Sequence, residues 1–147
     1  MIIVDAAFKD LINSLEPSYQ ALVGMPPIKY ETLPRKLPAC GIYLFSEGGD
    51  HLYVGRTNRL RKRLRDHCAP SGTHSKATFA FRIARKSTGR TAVSYSTAGS
   101  RADLLNDTAF AAAFEDAKRR IKAMDIRFIE EPEVLLCGRG AQERARV

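Results

Sequence analysis

Four side chains that could take part in acid–base or phosphate chemistry lie within one short stretch of this sequence. Tyr43 and Tyr53 are ten positions apart in two β-favouring runs, and Arg63 and His67 follow at i,i+4 spacing in a basic segment of helical character. Two phenols, a guanidinium and an imidazole around one pocket could transfer protons and stabilise negative charge. Attack on a phosphodiester requires both, so we expect these residues to form a catalytic cluster.

The residues that follow the second tyrosine could hold a phosphate. Gly55 lets the chain pass closely beneath Tyr53. The next residues place donors just before a helix N-terminus, where anions bind well, and the helix itself is rich in cations. We therefore predict that a nucleic-acid backbone is bound by Arg56, Thr57, Arg59, Arg61 and Lys62.

Whether the two tyrosines meet depends on the register of a hairpin. Strands are predicted over 41–46 and 51–55, and the glycine-containing segment 47–50 between them is typical of a turn. A loop with an odd number of residues would place Tyr43 and Tyr53 on one face of the sheet, and we expect a three-residue loop with a left-handed glycine. An even loop without a bulge would place them on opposite faces.

The N-terminal part of the chain predicts a helical extension. Apolar residues recur at helical spacing from Asp5 to Gly24, and Pro17 should kink this segment or split it into two helices. Four prolines then indicate an extended connection. We therefore divide the chain into an extension with its connection, residues 1–38, and a main domain, residues 39–147.

The main domain is predicted to continue with helices and strands in alternation. The elements are a helix over 59–68 capped by Asn58, a helix over 76–85 for which strand is the alternative, a strand over 90–96, a helix from a capping box at Ser100 to Asp103 as far as Met124, and a strand over 126–130. The long helix should bury its apolar face and leave Lys118, Arg119 and Lys122 in solvent. This order predicts an α+β fold with a small, mostly antiparallel three-stranded sheet flanked by helices.

Composition limits the classes of partner and of compartment. The formal net charge is +8, from 24 Lys and Arg against 16 Asp and Glu, and such a field attracts polyanions, whether nucleic acid or anionic lipid. The three cysteines lack any paired spacing for zinc or a disulfide framework. The first apolar run is too short for a secretory signal or a membrane span. We expect a cytoplasmic protein that does not bind membranes.

The same stretch also resembles a known family. Gly41-Ile42-Tyr43, then Tyr53-Val54-Gly55-Arg56-Thr57, then Leu60, Arg63-Leu64 and His67 match the GIY-YIG nuclease signature in order and in spacing. Two motifs and a downstream arginine must agree, which makes the resemblance far more specific than a lone tripeptide. It covers about a fifth of the chain. It implies a GIY-YIG-like catalytic domain that hydrolyses one phosphodiester of DNA per active site.

The resemblance also implies a role for each residue that matches the signature. Tyr43 would activate the water nucleophile, and Tyr53 would position or polarise the phosphate. Arg63 would neutralise charge in the transition state, and His67 would assist from the next helical turn. These roles agree with the chemistry expected from the residue types alone.

The family further implies one divalent cation per site, Mg²⁺ or Mn²⁺, held by a glutamate on a later helix. Such hard cations prefer oxygen ligands. The tail of this chain departs from the family pattern, since glycines interrupt it and an expected asparagine is missing. Glu131, Glu133 and Glu143 follow the last predicted strand, and Glu143 is the predicted metal ligand because of its distance from that strand.

Three functions are compatible with these observations. The leading hypothesis is a metal-dependent DNA endonuclease, and the alternative is a catalytically impaired nucleic-acid-binding module of the same fold, suggested by the irregular tail. The third is an interaction domain with an incidental basic surface. Each residue type also has a plainer interpretation, because tyrosines in strands usually pack, basic helix faces are usually solvated and glutamates usually lie at the surface.

Overall fold

The computed structural model describes residues 6–91 and 98–131, which form five α-helices and three β-strands. In chain order these are α1 (Ala6–Gly24), β1 (Gly41–Glu47), β2 (Asp50–Thr57), α2 (Leu60–Cys68), α3 (Thr78–Thr88), α4 (Arg101–Asn106), α5 (Thr108–Lys122) and β3 (Asp125–Glu130), with a short 3₁₀ helix at Tyr30–Thr32. Most of the strand predicted over 90–96 lies outside the described residues, and Arg90 and Thr91 are not in a strand. The α+β architecture with an N-terminal helix is confirmed.

The sheet has the order β2-β1-β3, and both pairings are antiparallel. The first strand is therefore central, with hydrogen bonds on both edges. Because successive side chains of a strand point to opposite faces, Tyr43 and Phe45 share one face and Leu44 lies on the other. The face of Tyr43 and Phe45 packs on α2, α3 and α5 and builds the main core. The central strand thus places Tyr43 deep in the molecule.

The hairpin reaches the required register by a different route from the expected one. Its loop has only two residues, Gly48 and Gly49, both at positive φ. This even loop alone would separate the tyrosines. A register shift follows, however, since Phe45 pairs with Tyr53 and Ser46 with His51, which leaves Leu52 as a bulge. The bulge returns Tyr43 and Tyr53 to the same face. The predicted three-residue loop is therefore wrong, and the predicted common face is confirmed.

The N-terminal extension packs on the sheet. Despite Pro17, α1 is one continuous helix, and it lies against β1 and β3. The connection that follows joins β3 directly, because the amide of Ile28 donates to Ile126 O at 2.9 Å and the amide of Ile126 donates back at 2.8 Å. None of the described helices combines the length and apolar character needed to cross a membrane.

Two helix boundaries differ from the prediction because of local side-chain hydrogen bonds. The segment 100–124 is two helices, since Asp107 accepts from the amides of Ala109 and Phe110 and so begins α5. The predicted cap at Ser100 is confirmed by its bond from the Asp103 amide. Asn58 is not the cap of α2, because the cap position is Arg59, whose side chain makes no capping hydrogen bond. The amide of Arg59 donates to Thr57 Oγ1.

Lys118 is not in solvent as predicted. Its side chain is 3% exposed, and its ammonium donates to the carbonyl oxygens of Pro70 at 2.8 Å and Gly72 at 3.1 Å and pairs with Glu115. A buried ammonium needs such acceptors. Lys118 therefore ties α5 to the loop between α2 and α3. Helical periodicity could not show this, because the acceptors are backbone atoms distant in sequence.

Candidate active site

The hairpin and α2 bring the four predicted catalytic side chains together. Tyr43 is opposite Gly55 in the register, and Tyr53 lies diagonally across on the same face, with ring centroids 6.2 Å apart. Arg63 and His67 come from α2, which Leu60 and Leu64 anchor in the core at 0% exposure. Burial of each leucine contributes about 2 kcal/mol. The apolar side of α2 thus fixes the direction of its polar edge.

Gly55 makes room for the ring of Tyr43. A Cβ atom at this position would lie within 2.8 Å of Cε1, Cζ and Oη of Tyr43. Real Cβ contacts are essentially never this close, so any side chain at position 55 would displace the phenol. The glycine of the second motif is therefore explained by the tyrosine of the first.

Arg63 uses each arm of its guanidinium for a different partner. Nε donates to Tyr43 Oη at 3.2 Å, Nη1 to the carbonyl oxygen of Lys76 at 2.6 Å and Nη2 to Thr78 Oγ1 at 3.2 Å. Lys76, just before α3, and Thr78, its first residue, thus hold the guanidinium in place while its Nε contacts the phenol. A positive charge fixed in this way can stabilise negative charge without reorganising.

Thr78 is a site residue that the sequence interpretation missed. Besides its bond to Arg63, its hydroxyl lies 3.4 Å from Tyr53 Oη, and the neighbouring Phe79 stacks on Tyr53 with centroids 4.6 Å apart. Thr78 therefore joins the second tyrosine to the arginine. Thr78 belongs to no recognisable motif. The only sequence signal for it was its position near the start of a segment whose pattern was ambiguous between helix and strand.

His67 is fully buried beside the first tyrosine, with Nε2 2.9 Å from Tyr43 Oη. Arg63 donates to the same phenol oxygen, so the phenol hydrogen is assigned to the bond with His67, which accepts. His67 then carries its own proton on Nδ1, which has no hydrogen-bond partner among the described residues. The imidazole orients the hydroxyl of Tyr43.

Burial keeps both partners of this hydrogen bond neutral. Desolvation, reinforced by the nearby Arg63, lowers the pKa of His67 to about 3, although Asp66 opposes the shift. Desolvation also raises the pKa of Tyr43 to about 12, against the lowering effect of Arg63. At neutral pH the pair is therefore a phenol and an imidazole. Arg63 supplies the positive charge beside them.

Acid should destabilise the protein through His67. Because the folded-state pKa lies below the ordinary value near 6.5, the stabilising contribution is complete above about pH 6.5 and is lost as pH falls toward 3. The folding equilibrium should weaken by up to about tenfold per pH unit over this window. Urea unfolding at pH 7 and pH 4 measures it, and His67→Gln should lose less stability than the wild type. Equal losses, or an imidazole that titrates near pH 6 by NMR, would contradict this prediction.

A basic cleft of about 350 Å³ adjoins the cluster at Arg63. Its lining includes four of the five predicted phosphate-binding residues and one acid, Asp66, which pairs with Lys62 at 2.7 Å. The four are Arg56, Thr57, Arg59 and Lys62. Arg61 does not line the cleft, since its guanidinium donates to the carbonyl oxygens of Pro34 and Arg35 at 2.5 and 2.8 Å. We name this surface the basic cleft.

The described residues do not fit a site for Mg²⁺ or Mn²⁺. Over 6–91 and 98–131, no three His, Cys, Asp or Glu side chains are grouped so that they could hold a metal ion. Hard cations need several oxygen donors. The predicted ligand Glu143 and its neighbour Glu133 lie outside the described residues. Among the described residues, the groups able to act on a phosphodiester are therefore the tyrosines, Arg63 and His67.

Comparison with known proteins supports the sequence resemblance. The family model of the GIY-YIG catalytic domain matches residues 39–103, which contain β1, β2, α2, α3 and the whole of the described cluster. No curated protein and no solved structure matches the chain significantly. The match begins just before the first motif and extends past Thr78. Residues 39–103 therefore match the GIY-YIG catalytic domain, which characterises a superfamily of nucleases.

Proposed function

We propose that this protein is a metal-dependent endonuclease that hydrolyses phosphodiester bonds in DNA. The observation that carries the proposal is the oriented fork of Arg63, which donates to Tyr43 and also lines the basic cleft. A phosphate in that cleft would lie beside the guanidinium of Arg63, whose Nε donates to the phenol of Tyr43. The net charge of +8 adds long-range attraction for a polyanion.

In this proposal Tyr43 takes a proton from the attacking water and passes its own proton to His67. The water proton goes to Tyr43 Oη as the hydroxyl hydrogen moves to His67 Nε2, along the 2.9 Å bond. As the water oxygen bonds to phosphorus, the bond between phosphorus and the leaving ester oxygen breaks, and that oxygen takes a proton from solvent. No free phenolate forms, which suits a phenol whose pKa is about 12. The negative charge of a bound phosphate would raise the pKa of His67 and so favour this transfer.

Tyr53 and Arg63 act on the phosphate itself. Tyr53 is half-buried, and its hydroxyl lies near Thr78, so it can donate to a phosphate oxygen. Arg63 neutralises the negative charge that develops on the oxygens bound to phosphorus. Glu143 as a ligand for Mg²⁺ or Mn²⁺ stays a prediction from the family resemblance. The cation would supply Lewis-acid charge stabilisation when bound.

Plasmid nicking tests the proposal. Supercoiled DNA with Mg²⁺ or Mn²⁺ should be nicked by the wild type, and Tyr43→Phe should slow nicking about 100-fold because it removes the proton relay. Tyr19→Phe is the matched control, since Tyr19 is exposed on α1. EDTA should stop the reaction. If the wild type nicks no faster than Tyr43→Phe, hydrolysis at this site is refuted.

The second candidate is a binding module without catalysis, suggested by the tail after the last strand, which departs from the family pattern. This function predicts plasmid binding that weakens steeply with salt, with no cleavage in either metal. The same samples distinguish the two functions. Absence of any DNA affinity at low salt would contradict both.

A further inference from the structure

A second surface depression lies between β2 and α3, and we name it the α3 groove. Its volume is about 810 Å³, which falls in the range of roughly 300–1,000 Å³ typical of small-ligand sites. Its lining includes Leu52, Phe79, Arg82, Ile83, Lys86 and Arg120. It is distinct from the basic cleft, with which it shares no described lining residue.

The charge of the α3 groove is positive. Arg82 and Lys86 are exposed one helical turn apart on α3, and neither forms an ion pair with a described acidic residue. Arg120, by contrast, is held by Glu47. None of the described residues that line the groove is acidic. Arg82 and Lys86 are thus available to an anionic ligand.

The floor of the groove is apolar. The bulge residue Leu52 is 41% exposed, and Ile83 is half-buried beside Phe79. A blunt DNA duplex presents phosphates to a surface while its base faces are stacked inside. An unpaired nucleotide presents both a phosphate and a free base face, and base-binding grooves combine cations with apolar or aromatic contacts. The α3 groove has this combination.

Phe79 connects the groove to the candidate active site. It lines the groove and stacks on Tyr53, whose hydroxyl meets Thr78, and Thr78 in turn bonds Arg63 in the basic cleft. The cluster therefore borders the basic cleft at Arg63 and the α3 groove at Phe79. A strand whose phosphate lies at Arg63 has a second binding surface within reach.

We propose that the α3 groove binds an unpaired nucleotide of the DNA strand adjacent to the phosphate held at the basic cleft. Its base lies on Leu52, Phe79 and Ile83, and its phosphate lies between Arg82 and Lys86. This inference rests on the proposed function and adds a substrate class, namely DNA with unpaired nucleotides beside the bond that is cut.

Binding in EDTA tests the groove without relying on cleavage. A labelled duplex with a single-stranded tail is compared with the blunt duplex by fluorescence anisotropy. The wild type should bind the tailed DNA more tightly than the blunt duplex. In the double variant Arg82→Gln/Lys86→Gln, the affinity for the tailed DNA should fall about tenfold more than the affinity for the blunt duplex. Leu52→Ser, which changes no charge, should also reduce the preference. The control Lys9→Gln/Arg119→Gln removes the same charge at exposed positions outside the groove and should weaken both DNAs equally.

The outcomes separate this inference from the proposed function. If the groove variants weaken both DNAs equally or neither DNA, the groove does not take an unpaired nucleotide. If the preference for tailed DNA depends on Arg82, Lys86 and Leu52 but no plasmid is nicked, the groove stands and hydrolysis fails. If nicking depends on Tyr43 but the protein does not prefer tailed DNA, hydrolysis stands and the groove proposal fails.

Discussion

Arg63→Ala is expected to slow DNA nicking by about 10²- to 10³-fold, a loss typical of removing a fixed charge donor from a transition state. Arg63→Lys should recover little of this rate. The guanidinium reaches Tyr43, Lys76 and Thr78 through three different nitrogens, whereas an ammonium is a single point of charge without that fork. The shape of the cation should therefore matter as much as its sign.

Nicking rates of purified Arg63→Ala and Arg63→Lys measure this, with plasmid affinity determined in EDTA. Arg65→Ala is the matched control, since Arg65 is exposed on the same helix and is absent from the described lining of the basic cleft. Its rate should stay near that of the wild type. A lysine variant as fast as the wild type would show that charge alone suffices. A loss confined to affinity would assign Arg63 to binding only.

Gly55→Ala is expected to abolish most activity and to lower the free energy of unfolding by about 1–3 kcal/mol, the usual cost of overpacking a core. The added methyl group would occupy the space of the Tyr43 side chain. Because Tyr43 is 1% exposed and bonded to His67 and Arg63, it cannot turn away freely. The variant should therefore lose both stability and the proton relay.

Urea unfolding and plasmid nicking measure the two losses. Gly24→Ala is the control, because a Cβ at Gly24 meets nothing within 4 Å. A double-mutant cycle gives a sharper comparison. In a Tyr43→Leu background the ring is absent, so Gly55→Ala should cost well under the amount that it costs in the wild type. An unchanged cost would show that the strain comes from another neighbour.

The convergence of the tyrosines with Arg63 and His67 could be predicted because the information is local. Helical spacing placed Arg63 and His67 on one edge of α2, and the apolar pair Leu60 and Leu64 showed which edge faces inward. The glycine turn predicted the hairpin, although its bulge could not be predicted. The bulge lies at Leu52, three residues beyond the turn, where the sequence carries no turn signal.

Other features depended on contacts between distant segments. Thr78 lies in the candidate site because α3 packs across Tyr53. Arg61 lies outside it because its guanidinium donates to two carbonyl oxygens in the connection before β1. The break at Asp107 was a local signal that helical periodicity obscured, since apolar spacing continues across it. Periodicity reports which face is buried and is insensitive to a single capping carboxylate.

The central position of β1 has a consequence for the order of folding. Its pairing with β2 closes only a two-residue turn, so the hairpin that carries both tyrosines can form in microseconds. The other edge of β1 pairs with β3, and residues 48–124 separate the two strands in sequence. Pairing between such distant segments is slow. Until then the inner strand of the hairpin that carries the two tyrosines is an open edge, able to pair with another chain. Synthesis of the last described strand therefore protects the nascent protein from aggregation as well as completing its sheet.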